Sequence, residues 1–323
     1  MGRGSYRSSD WDKLRNSRGI NQAAGVNQIF RNNQLKPQYD PKNINIRESR
    51  DSEDSPESTP IIISFDDTGS MGYLATEIAK NSLNKTITEI YDKKPVTNPH
   101  VMCAAYGNIG DPAPLQVTQF EADIRIVEQL LDMWILLRGR GDSGDSLIWY
   151  FAANHTSIDS YEKRGKKGFL FTIGDDDIKK DLSGPDIHAL FGDTDLPDEL
   201  TVKEILEAAQ EKYHVFHIVT KPLRSNVYAH WRELLPDNTA LVEKENVEHL
   251  YMVIISLMQL VNGQDRNEII AQWPSKVQVA IKLALKDIKT DAEKKAPASE
   301  PKTEDTPSAE PEKKSFFQKI FGK

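Results

Sequence analysis

Residues 61–72 read IIISFDDTGSMG, a mostly apolar run of five residues followed at once by a polar corner. The apolar run predicts a buried β-strand over 61–65. The next seven residues contain two carboxylates, two hydroxyls and two glycines. In open α/β sheets, ligands bind just beyond the carboxyl ends of the strands. The stretch therefore predicts both a buried strand and a ligand site at its end.

The chain beyond this strand alternates between strand and helix patterns. A helix is predicted to begin near residue 71, because apolar residues recur mostly every three or four positions up to residue 91. Later apolar runs predict further strands at 100–106, 115–120, 168–174 and 214–220, and helices at 122–136, 146–156, 198–212, 228–234 and 246–261. This alternation predicts an α/β, Rossmann-like fold with a mainly parallel central sheet, an antiparallel edge strand and helices on both faces.

The composition changes along the chain and predicts five segments. A polar, partly ordered arm with a helix near 21–32 is expected first, and then the α/β domain, a helical extension and two tail segments. The second-to-last segment contains only Asp, Ala, Glu, Lys, Pro, Ser and Thr, and is expected to be a disordered linker. The boundaries are 1–57 for the arm, 58–262 for the domain, 263–290 for the extension, 291–314 for the linker and 315–323 for a short amphipathic motif.

Charge and cysteine content exclude several classes of function. The net charge is -8 with no strongly basic domain, which argues against a nucleic-acid partner. Cys103 is the only cysteine, so an internal disulfide or a cysteine-based zinc site is impossible. No secretory signal pattern is seen, and the most apolar stretch, 251–261, is too short for a transmembrane segment. A cytoplasmic location is therefore expected.

The polar corner offers hard oxygen ligands at alternate positions. Asp66, Thr68 and Ser70 can point one carboxylate and two hydroxyls toward a common centre. Oxygen ligands of this kind suit Mg²⁺, Mn²⁺ or Ca²⁺. A simpler alternative is that Asp67, Thr68 or Ser70 only caps the helix that follows.

This D-x-T-x-S pattern resembles the metal-ion-dependent adhesion site (MIDAS) of von Willebrand factor A (vWA) domains. The strand–helix order resembles that family over roughly residues 58–262. The resemblance implies that Asp66, Thr68 and Ser70 form the first metal-binding motif. It also implies the α/β fold already predicted from the alternation.

Two further motifs follow from the same resemblance. The glycine-rich loop 139–146 is similar to the second motif, although the threonine common in the family is absent. There Asp145 matches the metal-facing carboxylate, with Asp142 and Ser143 as competing positions. Asp175 matches the acid of the third motif. Asp176 is the alternative, because this chain has Gly-Asp where members of the family more often have Thr-Asp-Gly.

The resemblance implies a non-enzymatic protein-binding module, in which the cation takes an acidic group from a partner protein. The alternative is a Mg²⁺-dependent phosphohydrolase similar to haloacid dehalogenases, with Asp66 as nucleophile. That family uses a second Asp two residues later as general acid, whereas this chain has Thr68. A third possibility is a vestigial metal site in a protein that binds through its tail.

The last nine residues, SFFQKIFGK, place four apolar side chains on one side of a short helical pattern, with lysines around them. Such a peptide can fold in a groove of a second partner, on an anionic membrane surface, or on its own domain. We expect a docking peptide whose apolar residues are Phe316, Phe317, Ile320 and Phe321.

Overall fold

The fold is built on a six-stranded sheet. The computed structural model describes residues 6–21, 23–137, 144–177, 181–194, 196–220 and 226–295. The strands in chain order are Arg47–Ser49 (β1), Thr59–Asp66 (β2), Pro99–Tyr106 (β3), Leu115–Val117 (β4), Thr156–Ile158 (β5), Gly168–Gly174 (β6), Leu182–Ser183 (β7), Glu199–Leu200 (β8), Tyr213–Thr220 (β9) and Thr239–Val242 (β10). The large sheet has the order β10-β9-β6-β2-β3-β4. Five of these strands run parallel, and β4 is antiparallel to β3.

Helices cover both faces of this sheet. They are Ser8–Ser17 (α1), Val26–Ile29 (α2), Gly72–Glu77 (α3), Leu83–Lys93 (α4), Arg125–Leu130 (α5), Asp145–Asn154 (α6), Asp159–Arg164 (α7), Gly184–Phe191 (α8), Val202–Lys212 (α9), Val227–Leu234 (α10), Leu250–Val261 (α11), Arg266–Ala271 (α12), Ser275–Leu285 (α13) and Asp291–Lys295 (α14). The predicted α/β class, with its mainly parallel sheet and antiparallel edge, is confirmed.

Strand β2 lies in the middle of the sheet, and its side chains alternate between two apolar cores. Ile61, Ile63 and Phe65 pack in the core formed with α4 and α11, whereas Ile62 packs in the core formed with α6 and α9. Burial on both faces explains why this strand is a continuous apolar run. In register, Asp66 pairs with Tyr106 of β3, so the carboxyl ends of these strands share one edge.

The predicted bounds of several elements differ from the structure. The helix expected over 71–91 begins with a 3₁₀ turn, Gly69–Met71, and contains a π-helical segment, Ile78–Ser82, between α3 and α4. The helix expected over 122–136 is only Arg125–Leu130. Strand β10 was not predicted at all, because four residues give no readable period.

The N-terminal arm is more ordered than its composition indicates. Its aromatic and aliphatic side chains join the core on the α4 side of the sheet; they are Tyr6, Trp11, Ile20, Ile29 and Phe30. The helix expected near 21–32 is reduced to α2. The arm therefore belongs to the folded domain, because it contributes buried apolar surface that sets its own position.

Backbone contacts also join the arm to the rest of the fold. Strand β1 pairs in parallel with β5, where Ser49 is opposite Ile158. Farther along, the Val117 N–H of edge strand β4 donates to the Tyr39 carbonyl at 3.0 Å. The Arg47 guanidinium donates to the Val117 carbonyl at 3.3 Å.

The C-terminal extension is helical as expected, and it continues farther than predicted. Helix α14 occupies Asp291–Lys295, the first residues of the expected linker. Thr290 and Glu293 explain its start, because the Thr290 N–H donates to Glu293 Oε2 at 2.7 Å and the Glu293 N–H donates to Thr290 Oγ1 at 3.2 Å. This is a capping box. The rest of the linker and the motif 315–323, with Phe316, Phe317, Ile320 and Phe321, lie outside the described residues.

Among the residues that the structure describes, none of the helices has the length and hydrophobicity of a transmembrane span.

Candidate metal centre

Three buried carboxylates lie at the carboxyl edge of the central strands. Asp66 is the last residue of β2, Asp175 directly follows β6, and Asp145 is the first residue of α6. Their exposed fractions are 0%, 0% and 4%. Because β2 and β6 are parallel neighbours, two of these side chains emerge at the same edge for topological reasons.

The first and third predicted motifs are in direct contact. The Ser70 hydroxyl donates to Asp175 Oδ1 at 2.9 Å, and Thr68 Oγ1 lies 3.5 Å from Ser70 Oγ. The Thr68 N–H donates to Asp66 Oδ1 at 2.7 Å, which fixes the Asp66 carboxylate against the turn. The structure thus brings together the side chains of the D-x-T-x-S pattern and the acid after β6.

The helix-capping alternative does not describe this segment. Thr68 precedes the 3₁₀ turn and Met71 precedes α3, and at neither position of this fully described stretch does a side chain make a capping hydrogen bond. The hydroxyls of Thr68 and Ser70 instead face each other, and the Ser70 hydroxyl donates to Asp175.

The electrostatics of the cluster are unfavourable for three carboxylates alone. Burial raises the pKa of Asp66 well above its ordinary value, and the nearby charges of Asp145 and Asp175 raise this pKa further, against the hydrogen bonds from Thr68. Asp66 Oδ2 is buried, and no described group makes a hydrogen bond to it. A bound cation would supply the missing partner and would offset the mutual repulsion of the three acids.

Asp145 also lies beside a group of buried side chains that the sequence analysis did not identify. Its Oδ1 lies 3.5 Å from Nδ1 of His217, whose ring stacks on Trp231 with centroids 3.4 Å apart. His217 Nδ1 is also 2.9 Å from Thr172 Oγ1. Burial lowers the pKa of His217 well below its ordinary value, which favours the neutral form of the ring. A neutral ring beside Asp145 would leave the charge of that carboxylate available to a cation.

Tyr106 completes the floor of the site. Its hydroxyl donates to the Ile173 carbonyl at 3.0 Å, and burial raises the tyrosine pKa well above its ordinary value, with Asp145 and Asp66 as further causes. Tyr106 could have been identified from its position at the end of a predicted strand. In the structure, Tyr106 pairs in register with Asp66. No comparable signal marks His217, since its contacts are purely tertiary.

The alternative positions within the motifs are partly resolved. Asp175 is buried and its carboxylate accepts from Ser70, whereas the Asp176 carboxylate accepts from the Asp177 N–H at 2.8 Å. Asp175 is thus the acid at the site. For the second motif, Asp145 is at the site, and Asp142 and Ser143 lie outside the described residues.

The donor chemistry of the site fits a hard dication. It combines carboxylate and hydroxyl oxygens, the ligands preferred by Mg²⁺ and Ca²⁺. Within the described ranges, no three or more His, Cys, Asp or Glu side chains lie close enough to form an all-acid or histidine cage. Any cation held here would depend on the hydroxyls of Thr68 and Ser70 as well as on the acids.

Comparison with known proteins does not identify a family. No family model matches the chain, and no curated protein matches it in sequence. Among solved structures, the pilus adhesin SpaC from Lactobacillus rhamnosus GG in its open conformation is similar, with a TM-score of 0.43, 10% identity, and coverage of 63% of this chain and 30% of the adhesin chain. Proximal thread matrix protein 1 from the mussel byssus gives a TM-score of 0.41 and 12% identity, covering 62% of this chain and 48% of that protein. The chain thus matches less than half the length of either protein.

Proposed function

We propose that this chain is a non-enzymatic, vWA-type protein-binding module. It uses a divalent cation, Mg²⁺ or else Mn²⁺ or Ca²⁺, to capture an acidic group of a partner protein. The observation that carries the proposal is the contact between the first and third motifs, in which the Ser70 hydroxyl donates to Asp175 beside the buried Asp66 carboxylate.

The residues that would hold the cation are Asp66, Thr68, Ser70, Asp145 and Asp175. When bound, the cation would supply a hard Lewis acid that attracts a carboxylate from outside. The chain contributes the rest. The Thr68 amide fixes Asp66, Ser70 fixes Asp175, and burial of the acids keeps them from being solvated individually.

The hydroxyl ligands support binding over catalysis. A phosphohydrolase with Asp66 as nucleophile needs an acid two residues later to protonate the leaving group. Thr68 stands there, and its hydroxyl lies against Ser70. A hydroxyl with an ordinary pKa is a poor proton donor near neutral pH, so the non-enzymatic function is preferred.

Two further statements belong to the proposal. A cytoplasmic location is supported by the single cysteine, Cys103, which is buried. A second contact, with another protein or a membrane surface, is proposed for the peptide that contains Phe316, Phe317, Ile320 and Phe321, and it is supported by the sequence pattern alone.

Calorimetric titration of the full chain with Mg²⁺ and Mn²⁺ tests the metal site. Ser70→Ala is expected to abolish or strongly weaken binding, because it removes a hydroxyl ligand and the bond to Asp175. Thr76→Ala is the matched control, since the Thr76 hydroxyl donates only to the Gly72 carbonyl of its own helix at 2.8 Å. Equal affinities in both variants would overturn the site.

The binding function is tested separately from the metal. Affinity capture with the intact chain, with and without chelator, should lose a partner when the metal is removed, and Ser70→Ala should lose the same partner. Deletion of 315–323 distinguishes proteins that bind the tail. Hydrolysis of a generic phosphate ester that disappears in Asp66→Asn would instead establish the enzymatic alternative.

A further inference from the structure

A second cluster of oxygen-bearing side chains lies beside the first and uses none of its residues. Asp67 is 1% exposed, although both of its neighbours in the chain belong to the candidate metal centre. Its backbone is fixed on two sides, because its N–H donates to the Tyr106 carbonyl at 2.9 Å and its carbonyl accepts from the Leu137 N–H at 3.0 Å. The side chain is therefore held in place by the fold.

Among the residues that the structure describes, none supplies the Asp67 carboxylate with the partners that a buried charge requires. Both oxygens are inaccessible to solvent, and no described group makes a hydrogen bond of ordinary geometry to either. A buried acid without partners is unusual in native proteins and indicates that something else completes its surroundings.

Gly107 marks the space that Asp67 faces. A Cβ atom built on Gly107 would lie 2.9 Å from Asp67 Oδ1 and 3.0 Å from Asp111 Oδ2. The two carboxylates, which come from different loops, thus converge on one small volume beside a residue with no side chain. A methyl group at this position would fill the space between them.

The β3–β4 loop orients the other oxygens. The backbone N–H and the side-chain amide of Asn108 both donate to Asp111 Oδ2 at 2.9 Å. This use of the amide nitrogen leaves Asn108 Oδ1 as the remaining acceptor, and that oxygen is buried without a hydrogen-bond partner in the described structure. Asn108 Oδ1 is thus a buried acceptor on a side chain that already contacts Asp111.

We propose that Asp67, Asp111 and Asn108 form a second cation site, distinct from the Asp66–Ser70–Asp175 centre, which takes a hard divalent ion such as Ca²⁺. Two carboxylates and an amide carbonyl oxygen are typical Ca²⁺ ligands, and the loop origin of two of them suits the flexible coordination of this ion. The Gly107 backbone leaves the necessary volume. The site ties the start of the polar corner after β2 to the loop after β3, whether or not the first centre binds a metal.

Equilibrium dialysis of the full chain against Ca²⁺ tests this site by counting bound ions. Asp67→Asn and Gly107→Ala are each expected to lose one bound Ca²⁺ per chain. Gly110→Ala is the matched control, because a Cβ atom there would meet nothing within 4 Å. Gly110→Ala and Ser70→Ala are both expected to retain this ion. Near-ultraviolet circular dichroism in chelator establishes that each variant is folded, and Asp111→Asn replaces any variant that is not.

The outcomes separate this site from the first centre. Loss of an ion in Ser70→Ala, with none lost in Asp67→Asn or Gly107→Ala, would leave the first centre standing and overturn the second. The reverse pattern would support the second site and count against the first. An Asp67→Asn chain that is folded and binds as many Ca²⁺ ions as the wild type would also overturn the proposal.

Discussion

Gly144→Ala provides a sharp test of how the candidate metal centre is assembled. A Cβ atom on Gly144 would lie 2.4 Å from the Gly107 carbonyl oxygen and 3.0 Å from Leu147 Cδ1. Contacts of this kind shorter than 3.0 Å are essentially never observed, so the two backbones must separate by about 0.6 Å or more. The Gly107 backbone is itself held, since its N–H donates to the Pro114 carbonyl at 3.0 Å. The start of α6 must therefore move, and Asp145 with it.

Two magnitudes follow from this displacement. Overpacking of a tight backbone contact costs about 1–3 kcal/mol of the free energy of unfolding. A displaced ligand or supporting group typically weakens metal binding about 10- to 100-fold. We therefore expect Gly144→Ala to be less stable than the wild type and to bind Mg²⁺ at least about tenfold more weakly, if Asp145 supports the ion.

The assay combines urea denaturation in chelator with calorimetric titration of Mg²⁺, and Gly110→Ala is the control for adding a methyl group in a neighbouring loop. A folded Gly144→Ala chain with wild-type stability would refute the packing argument. A chain that is destabilised, but binds Mg²⁺ with wild-type affinity, would refute the role given to Asp145.

The remaining predictions concern stability. Trp11→Ala should cost about 3–5 kcal/mol in urea denaturation, because this side chain is 3% exposed in the core; a cost below about 1 kcal/mol would mean that the arm is not part of the fold. Burial lowers the pKa of His100 to about 4, so its neutral form favours folding, and this stability is lost as the pH falls below the ordinary histidine value. Between about pH 7.5 and pH 5, the free energy of unfolding of the wild type should therefore fall by about 2 kcal/mol more than that of His100→Gln. Urea denaturation at both pH values measures the two changes, and equal changes would contradict the argument. Thr172→Val should cost about 1–3 kcal/mol by the same assay, because it leaves His217 Nδ1 without its closest hydrogen-bonding neighbour, and an unchanged midpoint would show that this contact is dispensable.

The central strands were predictable from sequence for a simple reason. Strands β2, β3, β6 and β9 are buried on both faces, and such strands appear as continuous apolar runs. Strand β10 and the small β1–β5 pair have only three or four residues each, and their pairing depends on segments far away in the chain. No local pattern marks strands of this kind.

The arm was misjudged because its apolar residues are sparse. Tyr6, Trp11 and Ile20 show no helical or strand period, yet each fills a place in a core formed by other elements. Helix α14, in contrast, had a readable signal, since Thr290 and Glu293 stand at the spacing of a capping box. The composition of the segment, taken alone, predicts disorder and does not reveal this helix.

The candidate site was only partly readable from the sequence. Asp66 and Asp175 could be placed because each follows a predicted central strand, and parallel strands present their ends at one edge. The supporting contact between His217 and Asp145 could not be foreseen, since alternation along a strand fixes a face but not the partner across it. The approach of Asp67 to Gly107 likewise requires the strand order, which the sequence does not state.

The contact between Tyr39, Arg47 and Val117 has a consequence for handling the protein. Strand β4 is the last strand on its side of the sheet, and strands in that position recruit other chains when their outward N–H and carbonyl groups are unsatisfied. Here both outward groups of Val117 are satisfied by the arm. A fragment that begins at residue 58 would lack these contacts and would be prone to intermolecular β-pairing. Preparations of the isolated domain should therefore keep the preceding residues.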